Sequence, residues 1–292
     1  MQPQALSRSR VLLALALVAG LAGLPACGGS GGGGGNVDAS RRDPYVQTET
    51  PTSVVLRWRT PTATDARVEF GAAPGALDQV AVSAAVLRDH AVTVTGLNPD
   101  QRYYYAVGDA DARVAGGDEA HFFTTAPAPL TDRLTRVWVV GDVGTAEPTE
   151  LLVRDGAATF EAGHAPDLWL ALGDNAYENG TDADYQRAVF NVFPALLATT
   201  PLWPTFGNHD DIASDAATER GPYFDLFTLP TAAEAGGVPS GTEAYYAFDY
   251  GDAHFVSLDS TNRNLAPRGP MLTWLAQDVA ATQARWIVAF WH

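Results

Sequence analysis

Four short segments hold the residues best suited to chemistry: Gly141-Asp142-Val143-Gly144, Gly173-Asp174-Asn175-Ala176-Tyr177, Gly207-Asn208-His209-Asp210 and Phe290-Trp291-His292. Asp142 and Asp174 offer hard carboxylate oxygens, Tyr177 a phenolate, Asn208 a neutral carbonyl oxygen and His292 an imidazole nitrogen. Mixed oxygen and nitrogen donors suit iron, manganese or zinc and match copper or iron–sulfur sites poorly. A single Gly-Asp pair is more often a turn than a ligand. The weight lies in the set and its order.

Something must bring these segments together. Apolar runs predict strands over 136–140, 168–172, 202–206 and 286–291, and each is followed directly by one of the four segments. Helical patterns cover 148–162, 182–197 and 270–281, the last with Pro270 at its first turn. A hairpin is expected around Tyr250-Gly251-Asp252, with arms 245–248 and 255–258. Strands alternating with helices imply a layered α/β domain over 134–292. In open sheets of that kind ligands bind just beyond the carboxyl ends of the strands, where the four polar clusters fall.

Residues 43–125 read differently. Val54, Leu56 and Trp58 alternate with Val55, Arg57 and Arg59, and Val68 and Phe70 with Arg67 and Glu69. That period of two, punctuated by turns rich in Pro, Gly, Asn and Asp, predicts an all-β domain. Leu97-Asn98-Pro99 before Tyr103 has the form of a tyrosine corner, a mark of immunoglobulin-like sandwiches. Its aromatic residues are expected in its core, and 126–133, with Pro127 and Pro129, is the expected linker.

The chain opens with a basic stretch at Arg8 and Arg10 and an apolar run from Val11 to Leu24, too short for a membrane span. Leu24-Pro25-Ala26-Cys27 resembles a bacterial lipobox, so 1–27 is expected to be a lipoprotein signal with Cys27 as the lipidated residue. The alternative is an ordinary secretory signal releasing a secreted or periplasmic protein. The Gly-rich stretch that follows, within 28–42, reads as a flexible tether. Cys27 is the only Cys, which excludes a disulfide framework.

Hydrophobic residues make up 46% of the chain, enough for a substantial core, and the net charge is −16. Such an acidic surface repels nucleic acid. An anionic substrate would need local positive charge, which bound metal ions supply.

The ordered set Gly-Asp-Val-Gly, Gly-Asp-Asn-Ala-Tyr, Gly-Asn-His-Asp and Phe-Trp-His resembles the calcineurin-like metallophosphoesterases. Tyr177, three residues after Asp174, and the absence of His two residues after Asp142 point to the purple acid phosphatase branch, whose fibronectin type III-like front domain 43–125 resembles. The resemblance implies that Asp142 and Tyr177 bind a first metal, typically ferric iron. Asp174 would bridge two metals, and Asn208 and His292 would bind a second ion of iron, zinc or manganese. It implies that His209 positions substrate or protonates the leaving group, while a metal-bound hydroxide hydrolyses a phosphate monoester. The family adds a later Gly-His-x-His segment, which these residues do not contain, so the 292-residue chain is expected to bind metal weakly and turn over little. A phosphodiesterase and a non-catalytic surface-binding protein are the alternatives. Asp210 is expected to orient His209; His90, His121 and His164 are expected to be structural or on the surface, and His254 to be structural, with an approach to the site as its alternative.

Overall fold

The structure is a computed structural model and describes residues 40–161, 163–261 and 265–292. The expected signal, Cys27 and most of the tether lie outside the described residues. Among the described residues no helix is long and apolar enough to cross a membrane.

The front domain holds β1 (Arg42–Gln47), β2 (Ser53–Gly71), β3 (Gln79–Thr95), β4 (Arg102–Gly108), β5 (Arg113–Gly116) and β6 (Phe122–Thr124), all paired antiparallel. β1 starts at Arg42, within the expected tether. The two patterned stretches around Val54 and Val68 are not separate strands. They form the single 19-residue β2, which passes through Pro61 where its register to β3 slips between Arg59 and Thr64. An exposed slip of this kind spares Pro the ladder hydrogen bond it cannot donate. The first half of β2 lies between β1 and β3, and its second half between β3 and β4, so one strand spans both parts of the sheet. Val54, Leu56, Trp58, Val68 and Phe70 meet Tyr103, Tyr105 and Phe123 in the core. The tyrosine corner is present, with the Asn98 N–H donating to the Tyr103 hydroxyl over 3.0 Å.

The second domain comprises β7 (Val137–Val140), α1 (Pro148–Glu161), β8 (Leu168–Ala171), α2 (Asp182–Tyr185), a π-helical turn (Gln186–Phe190), α3 (Pro194–Leu197), β9 (Leu202–Pro204), a 3₁₀ turn (Asp210–Ile212), α4 (Pro222–Leu226), β10 (Tyr246–Tyr250), β11 (Ala253–Ser257), α5 (Pro270–Ala281) and β12 (Trp286–Phe290). The continuous helix expected over 182–197 is broken. Pro194 excludes the helical conformation at the residue before it, and Phe193 sits at φ −117°.

These strands form two sheets. β7, β8 and β9 are parallel, while β11 pairs antiparallel with β10 and parallel with β12. The sheets face each other across an aromatic core in which Trp203 stacks on Phe248 with centroids 3.8 Å apart. At their carboxyl ends, Thr205 Oγ1 donates to the Leu258 carbonyl over 3.0 Å. Three of the four polar segments thus leave one sheet and His292 leaves the other.

The front domain packs against the second domain through buried polar side chains. Arg57 is buried, and its guanidinium donates to Thr228 Oγ1 over 3.0 Å. The Tyr45 hydroxyl donates to the Leu226 carbonyl over 2.7 Å, and the Tyr105 hydroxyl to the Ala198 carbonyl over 2.8 Å. Tyr45 and Ala126 belong to the core of the second domain.

Candidate metal centre

β7 and β8 run side by side in register, and the loops that follow them stay paired, with the Asp142 N–H donating to the Gly173 carbonyl over 3.2 Å. Asp142 and Asp174 both adopt left-handed backbone, at φ +56° and +50°. Non-glycine residues rarely adopt that conformation, and its cost of about 1–2 kcal/mol each is typical of functional sites. Both carboxylates turn to the same point, where the single Tyr177 hydroxyl lies 3.1 Å from Asp142 Oδ1 and 2.9 Å from Asp174 Oδ2. The Tyr177 backbone is fixed by its N–H, which donates to the Gly144 carbonyl over 2.7 Å.

The other donors arrive from β9 and β12. Gly207 passes directly against Asp174, and a Cβ there would overlap the Asp174 amide nitrogen and Oδ1. This close approach places Asn208 and His209 beside the buried carboxylate, and the His209 N–H donates to Asp174 Oδ1 over 2.8 Å. Gly173, at φ +80°, leaves room for His292, whose Cβ and Cγ lie 2.6 and 2.7 Å from where a side chain would start. The His292 ring is fixed through Nδ1, which donates to the Leu172 carbonyl over 2.8 Å. Its Nε2 then faces Asn208 Oδ1 at 3.0 Å and Asp174 Oδ1 at 3.4 Å.

This arrangement fits a cation. Asp142, Asp174 and His292 each place one ligand atom within 4.8 Å of the others. With Nδ1 of His292 committed as a donor, Nε2 of the neutral ring and the Asn208 carbonyl oxygen are both acceptors pointed at each other. Burial, with the Asp174 and Asp142 carboxylates next to it, holds the Tyr177 phenol far above its ordinary range. A nearby cation reverses that balance by favouring the phenolate.

His209 lies at the rim. Its Nδ1 donates to the Glu178 carbonyl over 2.6 Å, its ring lies 4.4 Å from that of Tyr177, and Nε2 is 3.9 Å from Asp174 Oδ2. Asp210 does not orient it. Asp210 is fully buried, with Oδ1 accepting from the Tyr185 hydroxyl at 2.6 Å and Oδ2 from Gly207 N–H at 2.9 Å and Asn175 Nδ2 at 2.8 Å. It ties the Asp174 loop to the Asn208 loop, and its position one residue past His209 gave no sign of this. His254 is also buried away from the centre, 2.6 Å from both Asp249 and Asp278. Neither Glu178, whose carbonyl orients His209, nor Leu172, whose carbonyl orients His292, carries any side-chain signal.

A family model described as calcineurin-like phosphoesterase matches residues 135–292, and one described as the purple acid phosphatase N-terminal domain matches 44–125. Purple acid phosphatase 15 of Arabidopsis thaliana is 29% identical over 234 residues, covering 70% of this chain and 41% of that protein. The chain therefore spans less than half the length of this curated relative. A purple acid phosphatase from yellow lupin (Lupinus luteus) seeds shares the fold with a TM-score of 0.62 at 16% identity, over 85% of this chain and 50% of that one. The protein PhoD does so with a TM-score of 0.59 at 17% identity, over 89% and 63%. With the four loops in this order at the ends of β7, β8, β9 and β12, the chain belongs to the calcineurin-like phosphoesterases, behind a front domain of the purple acid phosphatase type.

Proposed function

We propose that this chain carries the metal-holding face of a two-metal phosphate monoester hydrolase. The reading rests on the convergence of Asp142, Asp174, Tyr177, Asn208 and His292 on one point, with His209 at its rim. Asp142, Tyr177 and Asp174 would hold one ion, and Asp174, Asn208 and His292 a second. Iron paired with iron, zinc or manganese suits these donors. When bound, such a pair supplies Lewis acidity and an activated water.

The side chains of this chain do the rest. Asp174 presents one oxygen to each side of the centre while the His209 N–H holds Oδ1 in place. A carbonyl only accepts, so His209 Nδ1 carries a proton and its state is decided at Nε2. A protonated Nε2 would donate to a phosphoryl oxygen or give its proton to the departing alkoxide.

Metal content and hydrolysis of an aryl monophosphate against a bis-aryl phosphate test the reading. Monoester turnover that falls with Asp174→Asn supports it. Diester preference favours the phosphodiesterase alternative, and a protein that takes up no metal refutes it.

We further propose an extracytoplasmic, membrane-anchored location, supported by Arg8, Arg10, the apolar run and Cys27. Labelling with a radioactive fatty acid in a bacterial host tests it, and Cys27→Ser should abolish the label.

A further inference from the structure

Arg187 lies outside every motif, yet it reaches the backbone of the centre. One guanidinium nitrogen donates to the Tyr177 carbonyl over 2.6 Å and to Asp184 Oδ1 over 3.2 Å. The Tyr177 N–H is held by Gly144, so both backbone groups of Tyr177 are engaged and the direction of its Cα–Cβ bond is set. Two side-chain torsions then suffice to bring its hydroxyl between Asp142 and Asp174.

What holds Arg187 is equally specific. Asp184 closes a capping box with Thr181, with the Asp184 N–H 3.1 Å from Thr181 Oγ1 and the Thr181 N–H 3.2 Å from Asp184 Oδ2. The opposite face of this turn is gripped by the front domain. Arg59 donates to both oxygens of Asp182 over 2.6 and 2.9 Å, and Arg42 to Asp182 over 3.1 Å and to buried Gln186 over 2.9 Å. The regular helix gives way to a π-helical turn at Gln186, which presents Gln186 to Arg42 while Arg187 reaches Tyr177. Arg187 is 41% exposed, so its ion pair with Asp184 contributes little to stability. Its role is directional.

We propose that Arg187 is a positioning residue for Tyr177, and that the front β-domain sets Arg187 through the turn at 181–187. The proposal rests on Tyr177 being a metal ligand. It makes the front sheet part of the scaffold of the centre as well as a neighbour of it.

The test is a titration of the purified 292-residue chain with ferric iron against a competing chelator, following affinity and the visible phenolate-to-iron absorption together. Arg187→Ala, Arg187→Lys, Tyr177→Phe and the double variant are compared, with circular dichroism as a folding control. Arg187→Ala should weaken iron binding roughly tenfold, the lower end for groups that orient a ligand, and shift or bleach the band. Arg187→Lys, which keeps a donor within reach, should restore most of both. In the Tyr177→Phe background Arg187→Ala should have no further effect, because the interaction it serves is gone. Asp182→Asn, which loosens the grip of Arg42 and Arg59, should move the band in the same direction. A wild-type band that Arg187→Ala leaves unchanged, or an equal loss of affinity with and without Tyr177, overturns the proposal alone. Absence of any band in the iron-loaded wild type overturns the ligand reading and the proposal with it. A band unmoved by Asp182→Asn removes the front domain from it.

Discussion

Replacing Asp210 with Asn tests how the two metal-site loops are tied together. The carboxylate is fully buried and takes the Tyr185 hydroxyl on Oδ1, and Gly207 N–H and Asn175 Nδ2 on Oδ2, while the Asn175 N–H lies 3.2 Å from each oxygen. An amide has one oxygen. With its NH₂ on the Oδ2 side it faces the Gly207 N–H and Asn175 Nδ2 and loses both; with its NH₂ on the Oδ1 side the Tyr185 hydroxyl turns to accept and about one hydrogen bond is weakened or lost. At about 1.5 kcal/mol each, the variant should be destabilised by about 1.5–3 kcal/mol. For a protein of this size that lowers Tm by about 3–12 °C. A pH dependence accompanies it. Burial pushes the Asp210 carboxyl up to about 6 from 3.8, against the opposing hydrogen bonds from Tyr185, Gly207 and Asn175. A folded-state value raised in an acid means that the native state holds the proton more tightly, so this residue adds stability as pH falls through 6 toward 4. The wild-type advantage over Asp210→Asn should therefore widen by about 1 kcal/mol between pH 7 and pH 5, read by urea unfolding. Burial also raises Glu150 and Glu243 to about 7, which tilts both proteins alike, so the difference between them is the readout. A variant with wild-type Tm and a gap that does not change with pH would refute the assignment of Asp210 as the tie between the loops.

His254 gives the opposite dependence. Burial alone would lower it, but hydrogen bonds to Asp249 and Asp278 outweigh that and raise it to about 9. Its stabilisation is complete below 6.5 and lost as pH rises through 9, so the wild type should lose about 3 kcal/mol between pH 7 and 10 that His254→Gln does not lose, measured by urea midpoints. Gly207→Ala places a methyl group where Asp174 now lies. Either Asp174 or the Asn208 loop must move, and metal affinity should fall on the order of 10–100-fold in a chelator competition while circular dichroism stays native; wild-type affinity would show that the contact is easily relieved.

Much of this was legible in the residues. The strand ends, the donor types and the tyrosine corner follow from period-two patterning and from polar residues placed after apolar runs. The clean alternation around Trp58 misled in one respect. Arg57, in the polar phase of that alternation, is buried against the second domain, because a long Arg stem covers apolar surface while its head finds Thr228. The break in the 182–197 helix was visible at Pro194, whereas the π-helical turn before it had no local signature. Arg187, Asp210 and the carbonyls of Leu172 and Glu178 were hidden for a common reason: each acts through backbone geometry, and sequence spacing does not say which carbonyl a side chain will meet.

The centre also straddles the boundary between two sheets. Asp142, Asp174 and Asn208 ride on β7, β8 and β9, and His292 rides on β12, with Trp203 and Phe248 stacked between the sheets. The hydrogen bond from His292 Nδ1 to the Leu172 carbonyl fixes the imidazole across that boundary, beside the carboxylates. An ion held by Asp174, Asn208 and His292 together would tie the two sheets to each other at their carboxyl ends, as the aromatic core does between them.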